Sequence, residues 1–364
     1  MNARSRCAFF FLVAASIAAC GAEPPPGGGK DGQTWTEPAC TSVSGTANVT
    51  FTLDEGATLA PTGNATLTAR QAFVAALDTA NTLLATNDGK LLRSTDAGCT
   101  WTPLGDVAQD LQLVAAEGGR AYGYTTIGAN LVRIDGTTIT KLTQPADELR
   151  GLGVDPTDGA HLRVGDDNGK LWESKDAGAS WSPIGVTVPG VDPESGLVYV
   201  FAFDPANLDH IAVGTSLPPL HVSEDGGSTW QKPTGIGQGN ANVLSIVISP
   251  ADGNVVWAQG MDLDDLVNPD GRTIWRSTDR GLTFAPVVKQ GSGVHIPNQT
   301  LLAADPTNTD VLYFFFNADV HRYDDATGNV TTKNNAHAET TSVAFSPAKP
   351  GLMYLGLQGF APEN

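Results

Sequence analysis

Basic residues are scarce in this chain of 364 residues: 21 Lys and Arg stand against 39 Asp and Glu, a formal charge of −18. A surface so short of cations repels polyphosphate, which argues against nucleic acid and anionic lipid as ligands. Extended amphipathic helical patterning is missing, and 41 Gly with 23 Pro interrupt the chain too often for helical repeats. Familiar catalytic signatures are missing as well: no G-x-S-x-G, no phosphate loop and no H-E-x-x-H occurs. The six histidines (His161, His210, His221, His295, His321 and His337) are dispersed without metal-ligand spacing, so neither metal nor cofactor is expected. His221 and His321 stand at equivalent places and read as packing. One apolar run, residues 8–19, is too short for an ordinary membrane-spanning helix. Cysteine is limited to four residues.

What is present is a phrase repeated four times, S-x-D-x-G-x-[TS]-[WF]. It stands at Ser94, Asp96, Gly98 and Trp101, and again at Ser174, Asp176, Gly178 and Trp181. It returns at Ser223, Asp225, Gly227 and Trp230, and last at Ser277, Asp279, Gly281 and Phe284. Each copy follows a short alternating run such as Thr273-Ile274-Trp275-Arg276, the pattern of a half-buried strand. The phrase reads as a turn. Asp accepts hydrogen bonds from backbone N–H groups a few residues on, Gly supplies positive φ, and the closing aromatic starts a return strand that packs inward. A catalytic reading fails, because four equivalent acids cannot occupy one centre.

These copies resemble the Asp-box of bacterial neuraminidase repeats, found in sialidases, sortilin, photosystem II assembly factors and two-domain xyloglucanases. The resemblance covers roughly residues 72–360 and implies that each box is a structural hairpin between the two outer strands of a propeller blade.

The box starts are 80, 49 and 54 residues apart, and the long gap holds a worn copy at Leu131-Val132-Arg133-Ile134-Asp135-Gly136. Another worn copy follows at Val320 to Gly328. Asp155-Pro156, Asp204-Pro205, Ser249-Pro250, Asp305-Pro306 and Ser346-Pro347 add a second turn at the same period. The chain therefore reads as all-β: a single propeller of four-stranded antiparallel blades, seven in number, with six or eight as alternatives. The last unit has only two strands of its own, and residues 41–53, with Val43, Val49 and Phe51, are placed to complete it.

At the start, Arg4 and Arg6, the apolar run and Ile17-Ala18-Ala19-Cys20-Gly21 read as a signal segment. Its end resembles a bacterial lipobox, which implies cleavage after residue 19 and lipidation of Cys20; an ordinary signal peptide is the alternative. Residues 20–40 then form a Pro/Gly tether and 41–364 the propeller. By analogy with enteric bacteria, Gly21 implies an envelope protein of the outer rather than the inner membrane, touching membrane through its anchor only. Cys7 leaves with the signal and Cys20 takes lipid, so Cys40 and Cys99 remain to form a disulfide, with two free thiols as the alternative.

In a blade of this kind the boxes and Asp-Pro turns share one face, and the remaining loops form the face where ligands bind. The fifth unit carries an insertion there with Asp262, Asp264, Asp265 and Asp270, read as a solvated acidic loop or a cation or sugar site. Longer links contain Asp192, Glu194, Lys289 and His295. Sialidases of the family use three arginines on the substrate carboxylate. Here Arg93, Arg133, Arg276 and Arg322 fall on outer strands beside turns, and no Arg-Ile-Pro-like motif precedes the first box. Xyloglucanases use two Asp residues between two propellers, and this chain has length for one. The expected function is a monomeric, non-catalytic module binding a protein or glycan; the alternative is a glycosidase using acids of the loop-rich face.

Overall fold

The computed structural model describes residues 34–45, 47–62, 67–191, 197–237, 240–263, 271–291, 293–334 and 338–359. Among them the regular structure is all strand, arranged as seven antiparallel sheets in a ring. Inner strands such as Leu83–Asn87 are buried on both faces and carry continuous apolar runs. Outer strands such as Thr102–Asp106 are exposed and polar. The alternation seen in the sequence belongs to the strands between these extremes.

The innermost strands Ala72–Ala76, Gln112–Ala116, Leu149–Asp155, Val198–Asp204, Ala241–Ile248, Leu302–Ala304 and Glu339–Phe345 follow one another around an axis, and the last blade touches the first. The core accordingly divides into seven apolar layers, each shared by two neighbouring blades. Leu77, Leu84 and Leu91 meet Leu111, Val132 and Ile134, for example, and Trp257 and Ile274 meet Leu312 and Phe314. No blade buries its faces alone, so closure of the ring is a condition of stability.

Closure comes from the N-terminal segment. Val49–Thr52 pairs with Met353–Gln358 as third strand of the last blade, with Phe51 opposite Tyr354. Ala60 N–H then donates to Phe51 O at 2.9 Å, and Val43 N–H to Pro61 O at 2.7 Å. The segment expected to complete the blade does so, but residues 60–61 also supply part of the outer edge. Cys40 and Cys99 are joined as a disulfide across 59 residues, tying the N-terminal arm to the first blade.

The repeated phrase forms one geometry throughout. In the second copy, Ser174 Oγ accepts Gly178 N–H at 2.9 Å and donates to Asp176 Oδ1 at 2.8 Å. Asp176 Oδ1 accepts Ser180 N–H at 2.9 Å, and its Oδ2 accepts the Ser180 hydroxyl at 2.6 Å. The copies at Ser94, Ser223 and Ser277 repeat these bonds. A fifth copy that the sequence reading missed lies at Thr52-Leu53-Asp54-Glu55-Gly56-Ala57-Thr58. Thr52 Oγ1 accepts Gly56 N–H at 2.7 Å, and Asp54 accepts the Thr58 amide and hydroxyl, each at 2.8 Å. Thr for Ser and Leu for Trp had hidden it.

Each knot needs two successive left-handed residues, such as Ala177 at φ 59° and Gly178 at 83°. Their N–H groups serve different bonds. The first reaches across to the Asp-Pro side: Ala177 N–H donates to Ala160 O at 2.9 Å and Arg280 N–H to Asn254 O at 2.9 Å. Both kinds of turn therefore lie on one face, as expected. Of the closing aromatics, Trp101 and Phe284 are buried, and Trp181 and Trp230, half-buried, also pack against a core layer, so all four turn inward as expected.

The knots also receive the chain arriving from the blade before. Thr234 N–H donates to Leu282 O, and Phe284 N–H to Thr234 O, at 3.0 and 2.9 Å. The approach is so close that a Cβ on Gly235 would lie 1.9 Å from Phe284 O. Two sheets contain three strands instead of the expected four. In the fourth blade, Gln231 pairs with Val222 and then Pro233, which has no N–H, ends the pairing as the link departs.

Hydrogen bonds from Ser180 and Ser174 hold the Asp176 carboxyl down to about 2, against an ordinary value of 3.8. At Asp96 and Asp279 burial pushes upward, but bonds from Thr100 and Thr283 override it and the net shift is downward. Asp54 and Asp225 are lowered too. These carboxyls bind fewer protons folded than unfolded, so they stabilise the fold above about pH 4, and that contribution is lost as pH falls toward 2. Calorimetric Tm should be level from pH 7 to 5 and fall steeply below 4; a level Tm down to pH 2.5 would refute the knots as ionised clasps. Ser174→Ala strands the Gly178 amide and should cost about 2 kcal/mol. Replacing both Cys40 and Cys99 by Ala should cost about 4 kcal/mol by loop-closure entropy, read as a fall in denaturant midpoint with unchanged slope.

Candidate functional site

The first residues of the innermost strands converge at the axis on the loop-rich face and enclose a cavity of about 680 Å³ to which all seven blades contribute. Its lining includes Gln71, Gln112, Tyr124, Arg150, Tyr199 and Gln299, and among the described residues none that line it is Asp or Glu. Burial pushes the Tyr124 phenol up to about 12, so it stays protonated and donates to Gln112 Oε1 at 3.1 Å. The Gln112 amide nitrogen is thereby the donor end of a side chain that lines the cavity. Arg150 is the one cation of the lining, with Nη2 2.5 Å from Glu148 Oε2.

The opposite mouth, about 450 Å³, has the reverse chemistry: apolar walls with Asp78, Glu117, Asp155 and Asp204. Three of these acids are engaged in turns. Asp78 accepts the Gly118 and Gly119 amides at 2.7 and 2.6 Å. Asp155 and Asp204 each accept a turn amide and a histidine six residues on, His161 at 3.2 Å and His210 at 2.9 Å. The histidines are therefore less dispersed than the sequence suggested: His161 and His210 hold equivalent places in neighbouring blades. His210 is fully buried and its second nitrogen lies 3.1 Å from Arg280 O, so both ring nitrogens face acceptors. At Asp204 burial pushes the carboxyl up, but bonds from His210 and the Ala206 amide bring it below its ordinary value.

A third concavity, about 580 Å³, runs between the fourth and fifth blades, with Trp275, Lys232, Lys289 and prolines 218, 219, 233 and 286. Asp262 lies here, at the end of strand Val256–Asp262, not at the axis. Asp264, Asp265 and Asp270 lie outside the described residues, as do Cys20, Asp192, Glu194 and His337. His295 stacks on Phe316 with ring centroids 4.1 Å apart. His221 and His321 are buried in third strands; burial, with Lys232 nearby, pushes His221 down to about 4. Among the described residues no group of three or more His, Cys, Asp or Glu is placed to hold a metal.

Three of the four arginines weighed against a sialidase site, Arg133, Arg276 and Arg322, are used between blades. Arg133 reaches Ala177 O at 3.4 Å. Arg276 binds Asp310 and Asp325, each at 2.7 Å, and lies over Trp257. Arg322 approaches Glu55, whose carboxylate also accepts the Tyr313 hydroxyl at 2.8 Å. Sequence reasoning missed the axial set because Gln112, Arg150 and Tyr199 carry no motif; only their place at the start of successive innermost strands unites them.

Fold and axial geometry define the chain as a seven-bladed β-propeller. No protein-family model matches it. It is 42% identical over 339 residues to the dispase autolysis-inducing protein of Streptomyces mobaraensis, covering 89% of this chain and 90% of that protein. The chain belongs to the family of that protein. It is also 28% identical over 280 residues to a xyloglucanase of Paenibacillus sp, covering 76% of this chain but 20% of the enzyme. Among solved structures, a GH74 enzyme of Niastella koreensis superposes with a TM-score of 0.58 at 18% identity, over 82% of this chain and 53% of that one. YCF48 bound to a D1 peptide superposes with a TM-score of 0.56 at 12% identity, over 87% and 99%. The chain thus spans about half or less of the glycoside hydrolases it matches, and likenesses at this identity speak to the fold alone.

Proposed function

We propose that this chain is a lipid-anchored envelope protein whose propeller binds a protein partner without catalysing a reaction of its own. The partner is dispase or an enzyme like it, which binding drives toward autolysis. The observation that carries the reading is the 42% identity, over nearly the whole of both chains, to a protein named for inducing the autolysis of dispase. Coverage of 90% leaves little room for that likeness to omit the loops that form the binding face. The described lining of the axial mouth offers donors, from Arg150 and Gln112, which suits binding. The five knotted turns are read as Asp-boxes of the neuraminidase-repeat type, with a structural role only. Cys20 carries the lipid, and Gly21 after it directs the chain to the outer membrane.

The relative at 28% identity favours a second reading, hydrolysis of a glucan in the groove that holds Asp262. One experiment separates the two. The purified chain is incubated with dispase and, separately, with xyloglucan. Intact dispase should disappear faster in the presence of the chain than alone, while the chain itself persists and no reducing sugar is released. An unchanged dispase half-life, or steady sugar release abolished by Asp262→Asn, would sink the binding reading. Cys20→Ala should move the protein from the membrane fraction to the soluble one; unchanged fractionation would exclude lipid at that thiol.

A further inference from the structure

Across the axial mouth the distribution of charge is one-sided in a way that the fold does not require. The opposite mouth of the same channel carries Asp78, Glu117, Asp155 and Asp204, so acids are compatible with the ends of innermost strands. On the loop-rich side the described lining holds no Asp or Glu, although Glu148 and Asp167 stand close to Arg150, and its donors are Arg150 from the third blade and the Gln112 amide from the second. Arg150 Nη2 is engaged by Glu148, while its Nε is buried with no hydrogen-bond partner among the described residues. A guanidinium carries five N–H donors in a planar fork that matches a carboxylate, and a buried donor without a partner is costly. Tyr199 and Ile127, the latter 70% exposed at the rim, give apolar contact beside these donors.

From this juxtaposition we infer that the axial mouth is a carboxylate-recognition site for a peptide segment of the protein partner, with Arg150 as its anchor and the Gln112 amide as second donor. The inference rests on the protein-binding reading above and specifies its chemistry. The carboxylate is either an Asp or Glu side chain or the terminal carboxylate of the segment. Glu148 acts as an internal competitor: it holds the guanidinium in place and is partly displaced when a ligand arrives. A cavity of about 680 Å³ suits a few residues of extended chain rather than a folded surface.

The test uses fluorescein-labelled 15-residue peptides tiling the dispase sequence, read by anisotropy against the full chain. Each is made in three forms: native, with every Asp and Glu changed to its amide, and with an amidated C-terminus. At least one native peptide should bind, and whichever amidation abolishes binding identifies the source of the carboxylate. Arg150→Gln should weaken that peptide about tenfold or more, and Glu148→Gln, which removes the competitor, should tighten it. Thermal unfolding of both variants reports whether the fold is retained. The assignment is overturned if no peptide binds, if amide forms bind equally, if Arg150→Gln folds and binds as before, or if an oligogalacturonide binds at Arg150 in place of peptides. Capture of intact dispase by the immobilised chain is measured in parallel. Capture without peptide binding removes the carboxylate site and leaves the protein-binding reading standing, whereas loss of capture removes both.

Discussion

A ring of sheets needs the same sharp corner at each outer edge, and in this chain a buried hydroxyl clasped to an exposed carboxylate makes it. Ser174 is buried and satisfies the Gly178 amide, while Asp176 outside it ties down the residue that begins the return strand. The two residues after Asp176, Ala177 and Gly178, adopt positive φ, a conformation that costs a non-glycine residue such as Ala177 about a kcal/mol or more. The corner persists because its N–H groups have nowhere else to bond. One of them is used to grip the first hairpin of the same blade, and the next chain link lies across it. Blade, corner and inter-blade link are therefore one mechanical unit, and polar bonds rather than apolar burial set its shape.

The same unit explains why the two faces of the propeller have different chemistry. On the turn face, acids and arginines are consumed by structure: Asp155 and Asp204 organise hairpins, and Arg163, Arg276 and Arg322 bridge to the following blade. At the axial mouth of the loop-rich face the described lining carries Arg150, paired with Glu148, and otherwise uncharged residues. If that mouth binds the partner as proposed, a substitution on the turn face is felt as stability and one at the axial mouth by the ligand.

Most of the architecture was legible because the corner repeats in sequence as well as in space. Four copies gave the period, the Asp-Pro turns confirmed it, and the seven units coincide with the seven sheets. The fifth copy escaped because the geometry demands only a hydroxyl, a carboxylate and a positive φ, which Thr52, Asp54 and Gly56 satisfy without the aromatic. The shortened fourth blade escaped because strand patterning says nothing of where a link departs, although Pro233 marked the place. The axial set was illegible for a different reason. Gln112 and Arg150 are 38 residues apart with no motif between them, and they share a cavity only because each opens an innermost strand. Proximity of that kind is a property of the ring and leaves no trace in local sequence.

That property also bears on how one fold serves enzymes and binding proteins alike. The fold that this chain shares with a GH74 enzyme places no demand on the residues at the axis. Chemistry at the axis is set by the residues that open the innermost strands, which stand apart from the core layers between blades. Among the described residues that line the axial cavity none is a carboxylate. An acid pair for bond cleavage and a donor set for carboxylate binding are opposite solutions for the same ring of positions, and the carboxylate site proposed above would be of the second kind.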